Sequence, residues 1–169
     1  MKKSLILLVA ALLAFGGSAF AQKNVKLGHI NSGELMKIMP GVDSLQNVLQ
    51  REVNNVKEQA TAMENEIQKK QEEYTQGQSQ WSELIRNTKQ QELQEMFNRY
   101  QVFQENAQES LQELNQKLLE PIQERAMKAI QDVAKENGFT YIFEESVLYY
   151  KDGGEDILPL VKKKLGISK

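Results

Sequence analysis

Residues 45–74 read LQNVLQREVNNVKEQATAMENEIQKKQEEY and residues 93–114 read LQEMFNRYQVFQENAQESLQEL, and the way these two runs face one another decides the fold. In the first run apolar side chains stand at Leu45, Leu49, Val53, Val56, Ala60, Met63, Ile67 and Tyr74. In the second they stand at Leu93, Met96, Tyr100, Phe103, Ala107, Leu111 and Leu114. Steps of three and four residues place each set on one stripe of an α-helix, which is the seam of a coiled coil. Packed antiparallel, Leu45 meets Leu114, Leu49 meets Leu111, Val53 meets Ala107, Val56 meets Phe103, Ala60 meets Tyr100, Met63 meets Met96 and Ile67 meets Leu93. The residue numbers of every pair add up to the same total within one, as a chain folded back on itself requires.

The irregular steps agree with this register. Two consecutive four-residue steps at Leu45, Leu49 and Val53 depart from the heptad in the manner of a stutter, and so do those at Phe103, Ala107 and Leu111. In the antiparallel pairing the two irregularities overlap. The midpoint of the pairs falls at Ser79 and Gln80, beside the helix-poor Gln76, Gly77 and Gln78. Residues 42–133 are therefore expected to form a coiled-coil hairpin arm with its tip near residues 76–82. Lys70 falls on the seam opposite Lys89 or Gln90, so the last turns before the tip should pack loosely and flex. Trp81, Leu84 and Ile85 add apolar surface beside the tip, where two helices have least to bury it against.

Outward from the arm on the N-terminal side, Pro40 and Gly41 interrupt the helix. Before them Leu35, Met36, Ile38 and Met39 give a short helix its apolar face, with Asn31 or Ser32 as cap and Glu34 in the first turn. Asn24 to Ile30 alternates, placing Val25, Leu27 and His29 on one side of a strand. Residues 22–41 thus supply the N-terminal strand and helix of a body. Residues 1–21 carry Lys2 and Lys3, an apolar run from Leu5 to Phe15 and an Ala19-x-Ala21 ending, the features of a cleavable secretory signal. The run is short of the roughly 20 apolar residues that a membrane span needs. Removing Lys2 and Lys3 with it leaves 19 basic residues against 23 acidic ones, a mildly acidic exported chain.

On the C-terminal side, Pro121 is expected to kink the returning helix without ending it, because the helical period resumes at Ile122, Ala126, Ala129 and Val133. Gly138 suits the left-handed residue that closes a helix. Phe139 to Glu144 and Val147 to Tyr150 are rich in aromatic and β-branched residues, and a tight turn at Glu145 and Ser146 would join them as a β-hairpin. Asp156 can cap a last short helix carrying Ile157, Leu158, Val161 and Leu165, with Lys162, Lys163 and Lys164 near its end. Residues 134–169 therefore complete the body.

The chain has no cysteine, which excludes disulfides, thiolate metal sites and thiol nucleophiles. Its one histidine, His29, has no catalytic partner at a recognisable spacing, and Glu144, Glu145, Asp152, Glu155 and Asp156 match no calcium loop. No phosphate loop or dinucleotide fingerprint is present, and the charge and the export signal disfavour nucleic acid. An enzyme, a cofactor and a metal centre are not expected. A body of about sixty residues buries only about 60% of its unfolded surface and leaves sheet edges open. Self-association through Val25, Leu27, Phe139, Tyr141, Phe143, Val147 and Tyr149 would cure both faults.

The export signal, the strand ending in GHIN, the break before a long hairpin, AKENGFTYIFE at 134–144 and VLYYKDGGEDILPLVKKKL at 147–165 together resemble the Skp (OmpH-like) periplasmic chaperone family. The likeness covers the whole mature chain, and residues 135–165 carry most of its specificity. It implies an α+β fold in which a helical-hairpin arm stands on a small β-sheet body completed as a barrel by trimerisation. It also implies a periplasmic, ATP-independent holdase that keeps unfolded outer-membrane proteins in a cavity between the arms. Tyr74, Trp81, Leu84, Ile85 and Phe97 are the candidates for apolar contact with such a client; the same residues could instead pack the tip or an oligomer contact. The family's basic lipid-binding cluster is not carried over, because Arg86, Lys89 and Arg99 are scattered on an acidic chain, so membrane contact should be weak or absent. The competing reading is a structural spacer or envelope assembly factor that binds one folded partner.

Overall fold

The computed structural model describes residues 25–167; the export signal expected at 1–21 lies outside them. The elements follow as β1 (Leu27–Ile30), α1 (Ser32–Ile38), α2 (Val42–Gly77), α3 (Glu83–Glu136), β2 (Tyr141–Glu144), a 3-10 turn (Glu145–Val147), β3 (Glu155–Asp156) and α4 (Leu158–Lys164). The Asn31 side chain accepts the Glu34 amide at 2.8 Å and so caps α1. Gly41, at φ 103°, then takes a left-handed corner that other residues rarely adopt. From there the 36-residue α2 runs out, turns through residues 78–82, and returns as the 54-residue α3. The Ser82 hydroxyl accepts the Ile85 amide at 3.4 Å at the start of the return. Helix α3 passes through Pro121 unbroken. This is a helical hairpin arm on a small sheet.

The sheet differs from the expected hairpin. Its order is β2-β1-β3, and both neighbours of β1 run parallel to it, with Leu27 opposite Tyr141 and His29 opposite Phe143 and Asp156. Val147 to Tyr150 forms no strand. A two-residue hairpin turn needs positive φ at one or both central residues, and among the described residues only glycines have it. Glu145 and Ser146 instead wind into the 3-10 turn, where the Leu148 amide donates to the Glu145 carbonyl at 3.1 Å. Parallel strands need a long crossover between them, and the whole arm is that crossover between β1 and β2.

The core lies where sheet, short helices and arm root meet. Leu35, Ile157 and Val161 are fully buried, and Val133, Met39, Ile30, Ala126, Ala129, Ile122 and Leu45 close around them. Gly28 faces this core because Phe139 and Ile157 press on it: an added Cβ would lie 3.0 Å from the Ile157 side chain and 3.1 Å from the Phe139 ring. Strand β1 therefore turns its Gly28 and Ile30 side inward and its Leu27 side outward. Phe139, expected at an oligomer contact, belongs to this chain's own core, with the Lys26 ammonium 3.9 Å above its ring. At the other end of the body the Asp156 carboxylate accepts the Leu158 amide at 2.9 Å and starts α4.

Candidate functional site

Along the arm the inward stripe is narrow. Leu45, Ile67 and Met96 are buried, while Leu49, Val56, Ala60, Met63, Leu93, Tyr100, Phe103, Ala107, Leu111 and Leu114 are half-buried. Val53 departs from the expected seam: it is exposed, and Glu52 beside it is the half-covered residue. A residue one place off the stripe is carried about 100° round the helix, which is enough to leave the contact. One side-chain hydrogen bond crosses between α2 and α3 among the described residues, from the Tyr100 hydroxyl to the Glu64 carboxylate. Gln104 Nε2 donates to the same hydroxyl at 2.9 Å. The bond to Glu64, more than any desolvation, raises the Tyr100 pKa above its ordinary value.

The five apolar candidates divide into two groups. Tyr74 and Trp81 pack against each other edge to face, with ring centroids 5.9 Å apart and an interplanar angle of 66°. The indole also lies on Gly77, where an added Cβ would overlap it. These two residues close the tip. Leu84, Ile85 and Phe97 are not covered by the chain; Leu84 is 77% exposed.

Two exposed apolar residues on α3, Val102 and Met127, escaped the seam-based reading because they lie on its far side. Their spacing from Leu84 held the signal: eighteen residues are five turns, so Leu84 and Val102 share a face, and Met127 falls within about 20° of it. The three are about 27 and 38 Å apart along the axis, isolated footholds on a polar surface.

A second apolar surface lies on the body. Leu27, Tyr141 and Phe143 are exposed on the outer face of the sheet, the two rings stacking at 6.1 Å. Val25, just before β1, and Val147, Tyr149 and Tyr150, just after β2, are also exposed. Strand β2 is an edge, so its outer backbone groups have no partner strand among the described residues. His29 is buried beneath Gly154, and its Nδ1 has no hydrogen-bond partner among the described residues. Beside it the Glu145 carboxylate accepts a hydrogen bond from Lys151, which holds that carboxyl below its usual range.

No group of three or more metal-binding side chains comes together among the described residues. The open crevice at the arm root, about 340 Å³ between Pro40, Leu45, Leu118, Pro121 and Ile122, is mostly apolar, with Arg125 as its one charged wall. No described helix is long and apolar enough to cross a membrane.

Residues 26–165 match the family model for outer membrane protein (OmpH-like). The chain belongs to the OmpH-like family. The OmpH-like chain is also similar to a solved structure, that of a candidate outer membrane chaperone (OmpH-like) from Caulobacter crescentus CB15. The TM-score is 0.74 at 14% identity, over 89% of this chain and 89% of that one. At that identity the likeness establishes the fold, a hairpin arm on a small sheet. No curated protein matches the chain.

Proposed function

We propose that this OmpH-like protein is an ATP-independent holdase of the periplasm, which takes unfolded outer-membrane proteins between its arms and prevents their aggregation. The observation that carries this reading is the spread of uncovered apolar side chains along the arm, at Val53, Leu84, Ile85, Phe97, Val102 and Met127. Single apolar residues on a polar helix contribute little each, and many weak, separated contacts suit a partner with no fixed shape. A groove for one folded partner would instead concentrate its apolar residues in one patch.

The assembly proposed with it is a homotrimer joined through the body. Leu27, Tyr141 and Phe143 share one outer sheet face beside an edge strand, Val25, Val147 and Tyr149 are exposed in the flanking segments, and apolar surface of this kind is better covered than wet. Arms rising from three such bodies would enclose a cavity. Family membership supports a chaperone role.

The test is an aggregation assay. An unfolded outer-membrane protein is diluted from denaturant with and without the chain, and the mass of the complex is measured alongside. Protection of several unrelated barrels by a trimer at stoichiometric ratio is the expected result. Indifference to all of them, with capture of one folded protein, would make the chain a spacer or assembly factor.

A further inference from the structure

The arm is not uniform along its length. Ile67 on α2 and Met96 on α3 are buried, and no residue between them in the chain is. From residue 68 to Gly77, only Lys70, Tyr74 and Gly77 are even half-buried. From residue 78 to residue 92, only Trp81 and Lys89 are. The seam that carries Leu, Met and Ile nearer the body is thus occupied by one lysine on each helix, and past them by the Tyr74 and Trp81 rings.

Two half-buried lysines cannot do the work of a Leu pair, because only their stems can pack while the charged ends must keep water or an acidic partner. Among the described residues each ammonium pairs with a carboxylate on its own helix, Lys70 with Glu73 at 3.4 Å and Lys89 with Glu92 at 3.2 Å. Both pairs have the basic residue N-terminal to the acidic one, the weaker order along a helix. Neither ion pair joins α2 to α3. The rings are different: Trp81 sits edge to face on Tyr74 and close against Gly77, a position in which any Cβ at residue 77 would overlap the indole. Apolar packing between the helices therefore runs as far as Ile67 and Met96 and is interrupted at the lysines; beyond them Trp81 of the turn folds back onto Tyr74 of α2.

We infer that residues 68–92 form a clasp that opens and closes as a unit of its own, uncoupled from the proximal arm at Lys70 and Lys89 and latched by Trp81 on Tyr74 and Gly77. Regions with few buried apolar contacts open at free energies below that of the whole molecule. When the latch releases, Tyr74 and Trp81 join the already exposed Leu84 and Ile85 as uncovered apolar surface. The clasp goes beyond the holdase reading and needs no client to be observed.

Trp81 is the chain's only tryptophan, so its emission reports the latch alone. In a urea titration of the mature protein the Trp81 transition should precede the loss of far-ultraviolet ellipticity. Backbone amides at 71–90 should exchange roughly tenfold faster than those at 97–111, after correction for intrinsic rates. Coincident transitions with uniform exchange would overturn the clasp. The double variant Lys70→Leu with Lys89→Leu should bring the two transitions together and slow the distal exchange by about tenfold; unchanged distal exchange would remove the lysines as the break. Gly77→Ala, and separately Tyr74→Ala, should red-shift Trp81 emission in buffer with helical content kept. Emission unchanged in both would show that the indole is held some other way.

Discussion

The body and the arm bury their apolar residues to very different depths. In the body Leu35, Ile157 and Val161 are wholly out of water, each enclosed by elements from distant parts of the chain. In the arm two helices enclose a single stripe, and most of its residues remain half-wet. Two helices can cover only the residues that point at each other, whereas a sheet with helices on one face surrounds a side chain from several directions. The body is thus the firm element and the arm the compliant one. That division is the one the proposed holdase needs, an arm that adapts to its client on a base that stays fixed.

The largest effect that would sharpen or break this contrast is in the body core. Leu35→Ala should lower unfolding free energy by about 3 kcal/mol, within the range for fully buried leucines, whereas Leu49→Ala on the arm should lower it by about 1. Urea denaturation followed by ellipticity measures both, and equal losses would erase the distinction. Next is Gly28→Ala, where the new methyl meets Ile157 at 3.0 Å and the Phe139 ring at 3.1 Å; a loss of about 1–3 kcal/mol is expected by the same titration.

A smaller change in stability, with a larger change in assembly, should come from the outer sheet face. Tyr141→Ser with Phe143→Ser should alter the chain's own stability by only about 0.5 kcal/mol, because both rings are exposed, while the mass measured by ultracentrifugation falls to that of one chain. Phe139→Ser should instead unfold the body. Unfolding by the outer pair would place those rings in the core and reverse the assignment.

The smallest effects are electrostatic and have opposite signs in the two regions. Glu145 in the body is held below its usual pKa chiefly by its hydrogen bond from Lys151. Its contribution is present above the unfolded value and is lost as pH falls through the folded one. Thermal melts from about pH 6 to about pH 3 should show Lys151→Met converging on the wild type as acid is added. Tyr100 in the arm is raised, chiefly by Glu64, so its contribution is complete below the unfolded value and is lost as pH rises through the folded one. A spectroscopic titration of the phenol should show one late-ionising tyrosine that reverts in Glu64→Gln.

The arm was legible because its information is local and repeated. Apart from the seven-residue step over Lys70 from Ile67 to Tyr74, each apolar residue on the stripe sits three or four places from the next, and the turn lies where the pairing has its midpoint. Val53 keeps the four-residue step from Leu49, but the observed stripe runs through Leu49, Glu52 and Val56, which leaves Val53 one place off it and exposed. The candidate surface was only partly legible. Leu84 and Ile85 could be named from their place beside the tip and Phe97 from its place one position off the seam, but Trp81 and Tyr74 could not be assigned to the latch until Gly77 was seen to leave room for the indole. Val102 and Met127 stood on a face that the seam does not mark.

By itself the amino-acid sequence determined that two helices pair antiparallel and turn near residue 80, and that the chain carries no cysteine and has a single histidine and a single tryptophan. Periodicity and composition need no partner from elsewhere to be read. Tertiary structure alone decided that β2 lies parallel to β1, that Val147 to Tyr150 stays out of the sheet, and that Phe139 points inward while Tyr141 and Phe143 point outward. A strand of four residues has no preferred neighbour of its own; it pairs with whatever the packing of Leu35, Val133 and Ile157 brings alongside, and for β1 that neighbour lies beyond the whole arm.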